Sequence, residues 1–231
     1  MAALLEMQHV TRRFGHRLAL DDVTLTLDTG RAVCLTGPNG AGKTTLLAVA
    51  AGVLASDAGC VLVGGRRLED SDRLRRRIGY MADAPLVYDA LSAVENLRFF
   101  ADLYGLSSPA RRIDQLLGLV GLTARAGEQV GAYSAGLRRR LDLARVLLHE
   151  PEILLLDEPA NSLDAEGLEV LRAALQAQRT GERAVLLAAR QASAAAGLAD
   201  EILTIEHGRL VAGPAASPDA RRASGAGAQH R

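Results

Sequence analysis

The chain has 231 residues, 27 basic and 27 acidic side chains, and a formal net charge of zero. A neutral chain has no general electrostatic attraction for nucleic acid, so the composition excludes a strongly basic binder and we expect no nucleic-acid partner. The length suits one large domain, or a core domain that carries a substantial insert.

No apolar run approaches the ~20 residues that a membrane-spanning helix needs. The first residues, Met1 to Glu6, have neither a basic start nor an apolar stretch of useful length, so we expect no signal peptide. We therefore expect a cytosolic protein, or one that reaches a membrane only through a partner.

The first part of the chain is dominated by strand-like patterns. Alternating or continuous apolar residues predict strands over residues 4–10, 18–27, 31–36, 60–63 and 78–81. A turn is predicted at residues 12–16, and helices are predicted over residues 43–54 and 72–77.

From about residue 84 to residue 148 the pattern changes, and only helical spacing of apolar residues is found. Ser92 and Glu95 have the spacing of a capping box at a helix start. Helices are predicted over residues 92–104, 109–120 and 137–149. We interpret this segment as a helical insert between two halves of a sheet domain.

Sheet character returns after the insert. Four aliphatic residues from Ile153 to Leu156, closed by Asp157 and Glu158, predict a central parallel strand whose carboxyl end faces a site. A helix is predicted over residues 165–179, and strands over 184–189, 201–205 and 209–211. Residues 213–231 are rich in Ala, Gly, Ser and Arg, and we expect them to be disordered.

A glycine-rich loop lies between the strand predicted at 31–36 and the helix predicted at 43–54, which is the context of a phosphate-binding loop. Its glycines let several backbone N–H groups point into one concavity, and the helix aims the positive end of its dipole there. Lys43 would reach the β- and γ-phosphates of a nucleotide, and the Thr44 hydroxyl would hold Mg²⁺. The predicted nucleotide-binding residues of the loop are Gly37, Pro38, Asn39, Gly40, Ala41, Gly42, Lys43, Thr44 and Thr45.

Lys43 is the only lysine of the chain, and all the other Lys or Arg positions hold arginine. A compact ammonium suits a phosphate cradle into which a planar guanidinium would fit badly, so this composition favours the phosphate-binding interpretation. The alternative is an ordinary glycine-rich turn after a strand.

Asp157 and Glu158 would have separate functions beside a bound nucleotide. At the strand end, Asp157 would hold the Mg²⁺ shell, and Glu158 would polarise the attacking water. The alternative is a pair of solvated acids at a strand terminus.

Taken in order, these features resemble the ATP-binding subunits of ABC transporters. The similarity rests on the phosphate loop, the helical insert, the segment Tyr133 to Arg138, the acidic strand end and the segment Asn161 to Asp164. It implies an α/β fold of the P-loop NTPase class, with a mostly parallel core sheet, an N-terminal antiparallel β part and a helical insert at about 84–148. The ATP-binding domain would span residues 1–212 and the tail residues 213–231.

The resemblance also implies ATP and Mg²⁺ as cofactors, and two ATP-binding subunits, in a homodimer or a heterodimer, that sandwich two ATP molecules. Each ATP would lie between the phosphate loop of one subunit and the signature segment of the other. The signature positions are Ser134, Ala135 and Gly136, and Asp164 lies in the loop that crosses the dimer interface. Phe14 matches the aromatic residue that stacks on adenine; the alternative is a plain core phenylalanine.

Two positions depart from the family pattern. Asp83 stands where the family usually has glutamine, and Arg190 stands where it usually has a switch histidine. Asp83 is a hard oxygen ligand that can still join the Mg²⁺ shell, whereas Arg190 can hold a γ-phosphate but cannot relay a proton. We therefore predict that ATP is bound but hydrolysed slowly; if Asp83 and Arg190 instead compensate each other as a pair, turnover is normal. The predicted catalytic residues are Lys43, Asp157, Glu158 and Arg190.

Residues 78–106 resemble exporter-type subunits, most of all the haem-exporter subunit of cytochrome c maturation. The favoured function is therefore an ATPase subunit that powers a membrane exporter, docked to a transmembrane permease at the cytoplasmic face of the cell membrane. The apolar residues available for docking, which have a core role as their alternative, are Leu86, Val87, Tyr88 and Leu91.

Three other interpretations stay open. They are a catalytically degenerate half of a heterodimeric transporter, a soluble ATPase that acts on DNA or the ribosome, and a small-molecule kinase. Asp83 and Arg190 favour the first, whereas intact Glu158 argues against it. The lack of a second cassette or a long coiled-coil insert argues against the second, and the signature segment argues against the third.

Overall fold

The computed structural model describes residues 3–178 and 183–211, and the tail predicted to be disordered lies outside them. The strands are β1 (Ala3–Phe14), β2 (Arg17–Asp28), β3 (Ala32–Thr36), β4 (Ala58–Val63), β5 (Arg66–Arg67), β6 (Ile78–Met81), β7 (Ile153–Asp157), β8 (Ala184–Ala189), β9 (Glu201–Glu206) and β10 (Arg209–Val211). The α-helices are α1 (Lys43–Ala50), α2 (Asp72–Arg75), α3 (Ala93–Tyr104), α4 (Ala110–Leu119), α5 (Ala135–Leu147) and α6 (Ala165–Gln178).

An antiparallel sheet is formed by the N-terminal strands, in the order β2-β1-β4-β5. The alternation in β2 places Val23, Leu25 and Leu27 in the core while the residues between them are exposed. This is the pattern of a sheet that has one buried face and one wet face. The N-terminal β part is therefore confirmed as antiparallel.

The turn between β1 and β2 is shorter than the predicted range 12–16. Arg12 and Phe14 remain in β1, and Phe14 pairs with Arg17, so that only Gly15 and His16 form the turn. Gly15 has a φ of 58°, which suits a two-residue hairpin connection.

The second sheet has the order β10-β9-β3-β8-β7-β6, and its strands are parallel from β9 to β6. Every residue of β3, β7 and β8 is buried, because this sheet separates two apolar cores. Leu154 and Leu156 pack into the core on the side of the helical segment, and Ile153 and Leu155 pack into the core on the side of α1. The mostly parallel core sheet is confirmed.

The carboxyl ends of four neighbouring parallel strands lie along one edge of this sheet. Gly37, Asp83, Glu158 and Arg190 follow the ends of β3, β6, β7 and β8 within two residues. Open parallel sheets bind ligands at this edge. The topology therefore gathers these positions from distant parts of the sequence.

Between residues 84 and 148 the described secondary structure is helical, apart from one isolated bridge between Ser92 and Gln129. The capping box of α3 is confirmed: Glu95 N donates to Ser92 Oγ, and Ser92 N donates to Glu95 Oε2 at 2.8 Å. Several helix boundaries differ from those predicted, and α2 and α5 each end two residues early, at Arg75 and Leu147. α1 ends at Ala50 rather than at residue 54, and α5 begins at Ala135 because Ser134 caps it.

None of the described helices is long and apolar enough to cross a membrane.

Candidate nucleotide-binding site

The shape of the phosphate loop is set by glycines that pack directly on neighbouring backbone. Gly37 has a φ of 151°, and a Cβ added there would lie 2.2 Å from the carbonyl oxygen of Ile205. A Cβ at Gly42, where φ is 117°, would lie 2.6 Å from the carbonyl oxygen of Ala19. Because a side chain would meet backbone at both positions, only glycine fits there.

Lys43 is the first residue of α1 and is 7% exposed. Its Nζ donates to the carbonyl oxygen of Gly37 at 2.6 Å and to that of Pro38 at 3.3 Å. The ammonium therefore lies inside the loop, beside the positive end of the helix dipole. The loop thus presents the positive charge of Lys43 at the start of α1, as a phosphate site requires.

A cavity of about 300 Å³ opens over this loop, and it brings together residues from most of the chain. Phe14, Asp83, Glu158 and Arg190, all singled out from the sequence, line it together with the loop. The loop residues that line it are Asn39, Gly40, Gly42, Lys43, Thr44 and Thr45. Of the other loop positions, Ala41 is buried, and its carbonyl oxygen accepts from Gly208 N at 2.9 Å.

Sequence reasoning missed two lining residues, Arg17 and Ala19. Arg17 Nη2 donates to the carbonyl oxygen of Gly40 at 2.8 Å, so this arginine braces the phosphate loop from the start of β2. No local pattern distinguishes Arg17 from the other arginines of the chain. Its pairing with Phe14 across the β1–β2 turn is a feature of the folded hairpin only.

Phe14 is 48% exposed at the mouth of the cavity, so the interpretation as a plain core phenylalanine is wrong. The guanidinium carbon of Arg12 lies 5.0 Å from the centre of the Phe14 ring. One face of the ring is therefore backed by a cation, and a free aromatic surface remains at the cavity. Stacking of adenine on this ring stays a prediction.

Asp157 is fully buried at the end of β7, and neither of its carboxylate oxygens has a hydrogen-bond partner among the described residues. Burial raises the pKa of Asp157 above its ordinary value, and the nearby Thr44 hydroxyl opposes that shift. An unpaired buried carboxylate is costly unless a cation or a proton satisfies it. These oxygens, close to Thr44, therefore fit a hard cation such as Mg²⁺.

Glu158 has a φ of 49°, a conformation that few residues with side chains adopt, and its carboxylate lines the cavity. Its Oε1 lies 3.7 Å from Arg190 Nε. Burial raises the pKa of Glu158, whereas the positive charges of Lys43 and Arg190 lower it. Glu158 is thus a shielded carboxylate beside the place where a terminal phosphate would lie.

Asp83 and Arg190 have separate partners in this structure. Asp83 Oδ1 accepts from Asn161 Nδ2 at 3.2 Å, while Arg190 pairs with Glu158. The pairing of Asp83 with Arg190, which would have let the two departures compensate each other, is therefore not the arrangement observed among the described residues.

The signature positions belong to a different cavity. Ser134 and Ala135 are exposed, and Leu137 N donates to Ser134 Oγ at 3.3 Å at the start of α5. Together with Gly136 and Asp164 they line a cavity of about 510 Å³ that does not include the phosphate loop. Within one chain, then, the phosphate loop and the signature do not share a site.

Asp164 is held in place by two donors. Its Oδ1 accepts from Gly167 N at 2.8 Å and from Arg140 Nη2 at 2.8 Å. These hydrogen bonds hold the pKa of Asp164 below its ordinary value. The charged carboxylate thus fixes the start of α6 next to the signature cavity.

Comparison with known proteins agrees with this geometry. The family model described as ABC transporter matches residues 20–161. The chain is 36% identical to the ABC transporter ATP-binding protein YhcH of Bacillus subtilis, over 91% of this chain and 70% of that protein. It is 33% identical to the Nod factor export ATP-binding protein I of Cupriavidus metallidurans, over 92% of this chain and 71% of that protein.

A solved ATP-binding subunit of an ABC transporter superimposes with a TM-score of 0.83 at 30% identity, and the match covers 90% of this chain and 88% of that one. This similarity confirms the P-loop NTPase fold that the sequence predicted. The protein belongs to the ABC transporter family, as an ATP-binding subunit with ATPase activity coupled to transport.

Proposed function

We propose that this subunit powers an exporter by closing with a second ATP-binding subunit around two ATP molecules. The observation that carries the proposal is the separation of the phosphate-loop cavity from the signature cavity within one chain. A two-fold dimer would bring the signature of one subunit onto the phosphate loop of the other. The direction of transport is supported by similarity to a protein named for Nod factor export.

Lys43 would bind the β- and γ-phosphates, with Phe14 stacked on adenine. Thr44 and Asp157 would hold Mg²⁺, and Asp83 would join its shell, which is consistent with the two unpaired oxygens of Asp157. When bound, Mg²⁺ neutralises charge on the phosphates.

Glu158 would accept a proton from the attacking water, because its carboxylate is shielded and lines the cavity. Arg190 would pair with the γ-phosphate, which requires it to leave Glu158. The signature residues of the second subunit, Ser134, Ala135 and Gly136 in a homodimer, would close the site from the opposite side.

A transmembrane permease would dock beside Asp83, which would place this subunit at the cytoplasmic face of the membrane. Leu86 and Tyr88 are 51% and 50% exposed there, and the Tyr88 and Phe99 rings meet edge to face at 5.0 Å. Val87, by contrast, packs against the core beneath the helical segment. The exposed apolar surface next to the nucleotide site supports coupling of ATP-driven closure to a membrane partner.

Haem export remains a prediction of the sequence resemblance alone, since the relatives above do not name haem. The proposal also keeps both dimer compositions, two copies of this chain or one copy with a related subunit.

A mixture of two inactive variants tests the shared site. Lys43→Ala removes the phosphate-loop contact, and Ser134→Arg blocks the signature, so each homodimer should be inactive. A mixed dimer of the two has one site with an intact loop and an intact signature. Because half of the dimers are mixed and each has one working site, we expect about a quarter of the wild-type ATPase rate.

Phosphate release by the separate and mixed proteins measures this rescue. Lys43→Ala mixed with a Lys43→Ala, Ser134→Arg double variant is the control and should stay inactive, because no intact pair can form. Absence of rescue with both single variants folded would contradict a dimer of two copies.

Asp83→Gln combined with Arg190→His should speed hydrolysis by ~10²-fold, because a well-placed transition-state group contributes about that much. The structural reason is that a neutral imidazole can accept a hydrogen bond and relay a proton, which the permanently charged guanidinium of Arg190 cannot do. Single-turnover hydrolysis with excess protein measures the chemical step. Wild type should be slower than the ~1–100 s⁻¹ common for phosphoryl transfer.

The control is Arg172→His, which removes another arginine that pairs with a glutamate, Glu169, on the exposed side of α6. It should leave the rate unchanged. Wild-type turnover within the ordinary range, with no gain in the double variant, would contradict slow hydrolysis.

A further inference from the structure

Arg139 is a charged residue of α5 that is almost fully buried, at 2% exposure. It lies in the second turn of the helix, just beyond the signature end. Its Nη1 donates to the carbonyl oxygens of Ala82 and Asp83, each at 2.7 Å, and its Nη2 donates to those of Asp157 and Glu158, each at 2.5 Å. One guanidinium therefore holds two consecutive peptide groups on each of two loops.

The two loops that Arg139 joins are those that follow β6 and β7 at the ligand edge of the sheet. One carries Asp83, and the other carries Glu158. Both residues line the phosphate cavity, and their carbonyl oxygens accept hydrogen bonds from Arg139. Arg139 thus acts on these residues through their backbone and does not itself line that cavity.

The chemistry of this contact is specific to arginine. A guanidinium is planar, stays charged and presents several N–H donors in a fixed fork, so it can serve four carbonyl oxygens at once. An ammonium has three donors around one atom, and a glutamine side chain has two. Neither can join all four acceptors with this geometry.

Glu158 has a particular need for such support. Its φ of 49° is unfavourable for a residue with a side chain, because Cβ then lies too close to the following carbonyl oxygen. Hydrogen bonds to the carbonyl oxygens on both sides of that residue's backbone stabilise this conformation over the extended one. Without them the Glu158 carboxylate would lose its fixed direction.

The same face of α5 holds the Asp83 loop at two further places. Asp142 Oδ1 accepts from Leu86 N at 3.3 Å and from Arg145 Nε at 2.6 Å. Arg145 Nη2 donates to the carbonyl oxygen of Tyr80 at 3.1 Å. These hydrogen bonds therefore hold the segment 80–86 against α5, whose N-terminal end carries the signature residues.

We propose that Arg139 is a positioning residue for ATP hydrolysis, which fixes the backbones of Asp83 and Glu158 relative to the signature end of α5. This proposal rests on the catalytic role proposed for Glu158. The signature end of α5 would contact the ATP bound to the second subunit. Arg139 therefore links that contact to Glu158, the general base in the site of its own subunit. It acts on the rate of the chemical step and not on the affinity for ATP.

The test compares Arg139→Gln and Arg139→Lys with wild type in single-turnover hydrolysis and in ATP binding. We expect kcat to fall by ~10²-fold for glutamine, since small misplacements of a reacting group cost about that much. The lysine variant should fall less, because an ammonium reaches some of the four carbonyl oxygens. The KM for ATP should stay within about twofold, because the phosphate loop is untouched.

Arg112→Gln is the matched control. Arg112 Nη2 donates to the carbonyl oxygen of Leu147 at 2.7 Å, at the far end of the same helix, and it is away from the nucleotide cavity. This variant also loses a half-buried guanidinium that binds a backbone carbonyl. It should keep the wild-type kcat.

A double-mutant cycle with Glu158→Gln separates positioning from stability. If Arg139 acts through Glu158, then Arg139→Gln should change the residual rate by less than about threefold once Glu158 is already glutamine. An equal loss in both backgrounds, or an unchanged kcat in a folded Arg139→Gln protein, would overturn the proposal. Arg139→Lys keeps a positive charge among the surrounding carboxylates, so it supplies a folded variant if the glutamine variant does not fold.

The experiment that tests the dimeric function is independent of the one that tests the role of Arg139. The mixing experiment with Lys43→Ala and Ser134→Arg leaves Arg139 unaltered, so its result does not depend on the positioning role. If ATPase activity is rescued in the mixing experiment while Arg139→Gln keeps the wild-type kcat, the positioning role of Arg139 is rejected and the dimeric function is retained.

Discussion

Replacing Glu158 by glutamine is expected to slow ATP hydrolysis by ~10²–10³-fold while ATP binding is retained. The carboxylate lines the phosphate cavity, is shielded from solvent and is held by backbone contacts in one direction. A neutral amide of the same size keeps the packing but cannot accept the proton of the attacking water. Binding persists because the phosphate loop and Lys43 are unchanged.

Glu152→Gln is the matched control, because Glu152 precedes the same strand, β7, at its opposite end and pairs with Arg77 there. Phosphate release at saturating ATP and Mg²⁺ should be normal in this variant and nearly absent in Glu158→Gln. Retained ATP affinity is checked by titration with a fluorescent ATP analogue. Wild-type turnover in Glu158→Gln would show that another group accepts the proton.

The pH profile gives an independent check on Glu158. Burial raises its pKa, and the deprotonated carboxylate is the form that accepts a proton. Hydrolysis should therefore decline as the pH falls through this raised pKa, at a higher pH than an ordinary glutamate would give. In the nucleotide-free protein Arg190 lowers the pKa of Glu158, so Arg190→His should move the decline in kcat/KM to still higher pH.

Replacing Lys43 by alanine is expected to weaken ATP binding by about 100-fold. Hydrogen bonds between charged partners contribute roughly 1.5–3 kcal/mol each, and a loss in that range corresponds to about one to two orders of magnitude in affinity. The ammonium is buried inside the loop and donates hydrogen bonds to the carbonyl oxygens of Gly37 and Pro38. Its removal should therefore also destabilise the conformation of the phosphate loop.

The thermal shift produced by saturating ATP measures this effect, because a ligand that binds only the folded state raises its stability. Wild type should be stabilised and Lys43→Ala should not, although both should melt cooperatively without nucleotide. Lys43→Arg serves as the comparison that keeps the charge, and it should bind poorly because the larger guanidinium does not fit a position that is 7% exposed. An ATP-induced shift of wild-type size in Lys43→Ala would contradict the assignment.

Local chemistry made the phosphate loop predictable. Its glycines, the strand before it and the helix after it are consecutive in sequence, so their geometry follows from short-range sterics. The acidic end of β7 was predictable for a similar reason, because a continuous aliphatic run followed by acids describes a buried parallel strand and its exit. The helix boundaries were less accurate, since helix ends depend on caps and tertiary contacts.

Long-range packing determined those features of the site that could not be predicted from the sequence. The exposure of Phe14 separated an adenine-stacking role from a core role, and this depends on how β1 and β2 lie over the loop. The ion pair of Glu158 with Arg190 and the contact of Asp83 with Asn161 join residues far apart in the chain.

The sequence by itself therefore determined that a nucleotide is bound, which family the chain resembles and where it departs from that family. Only the tertiary structure decided which partners Asp83, Glu158 and Arg190 have. It alone revealed the bracing residue Arg17 and the buried Arg139. The physical reason is that an arginine is assigned its function by its acceptors, and the four carbonyl oxygens that Arg139 binds come together only when two distant strands lie side by side.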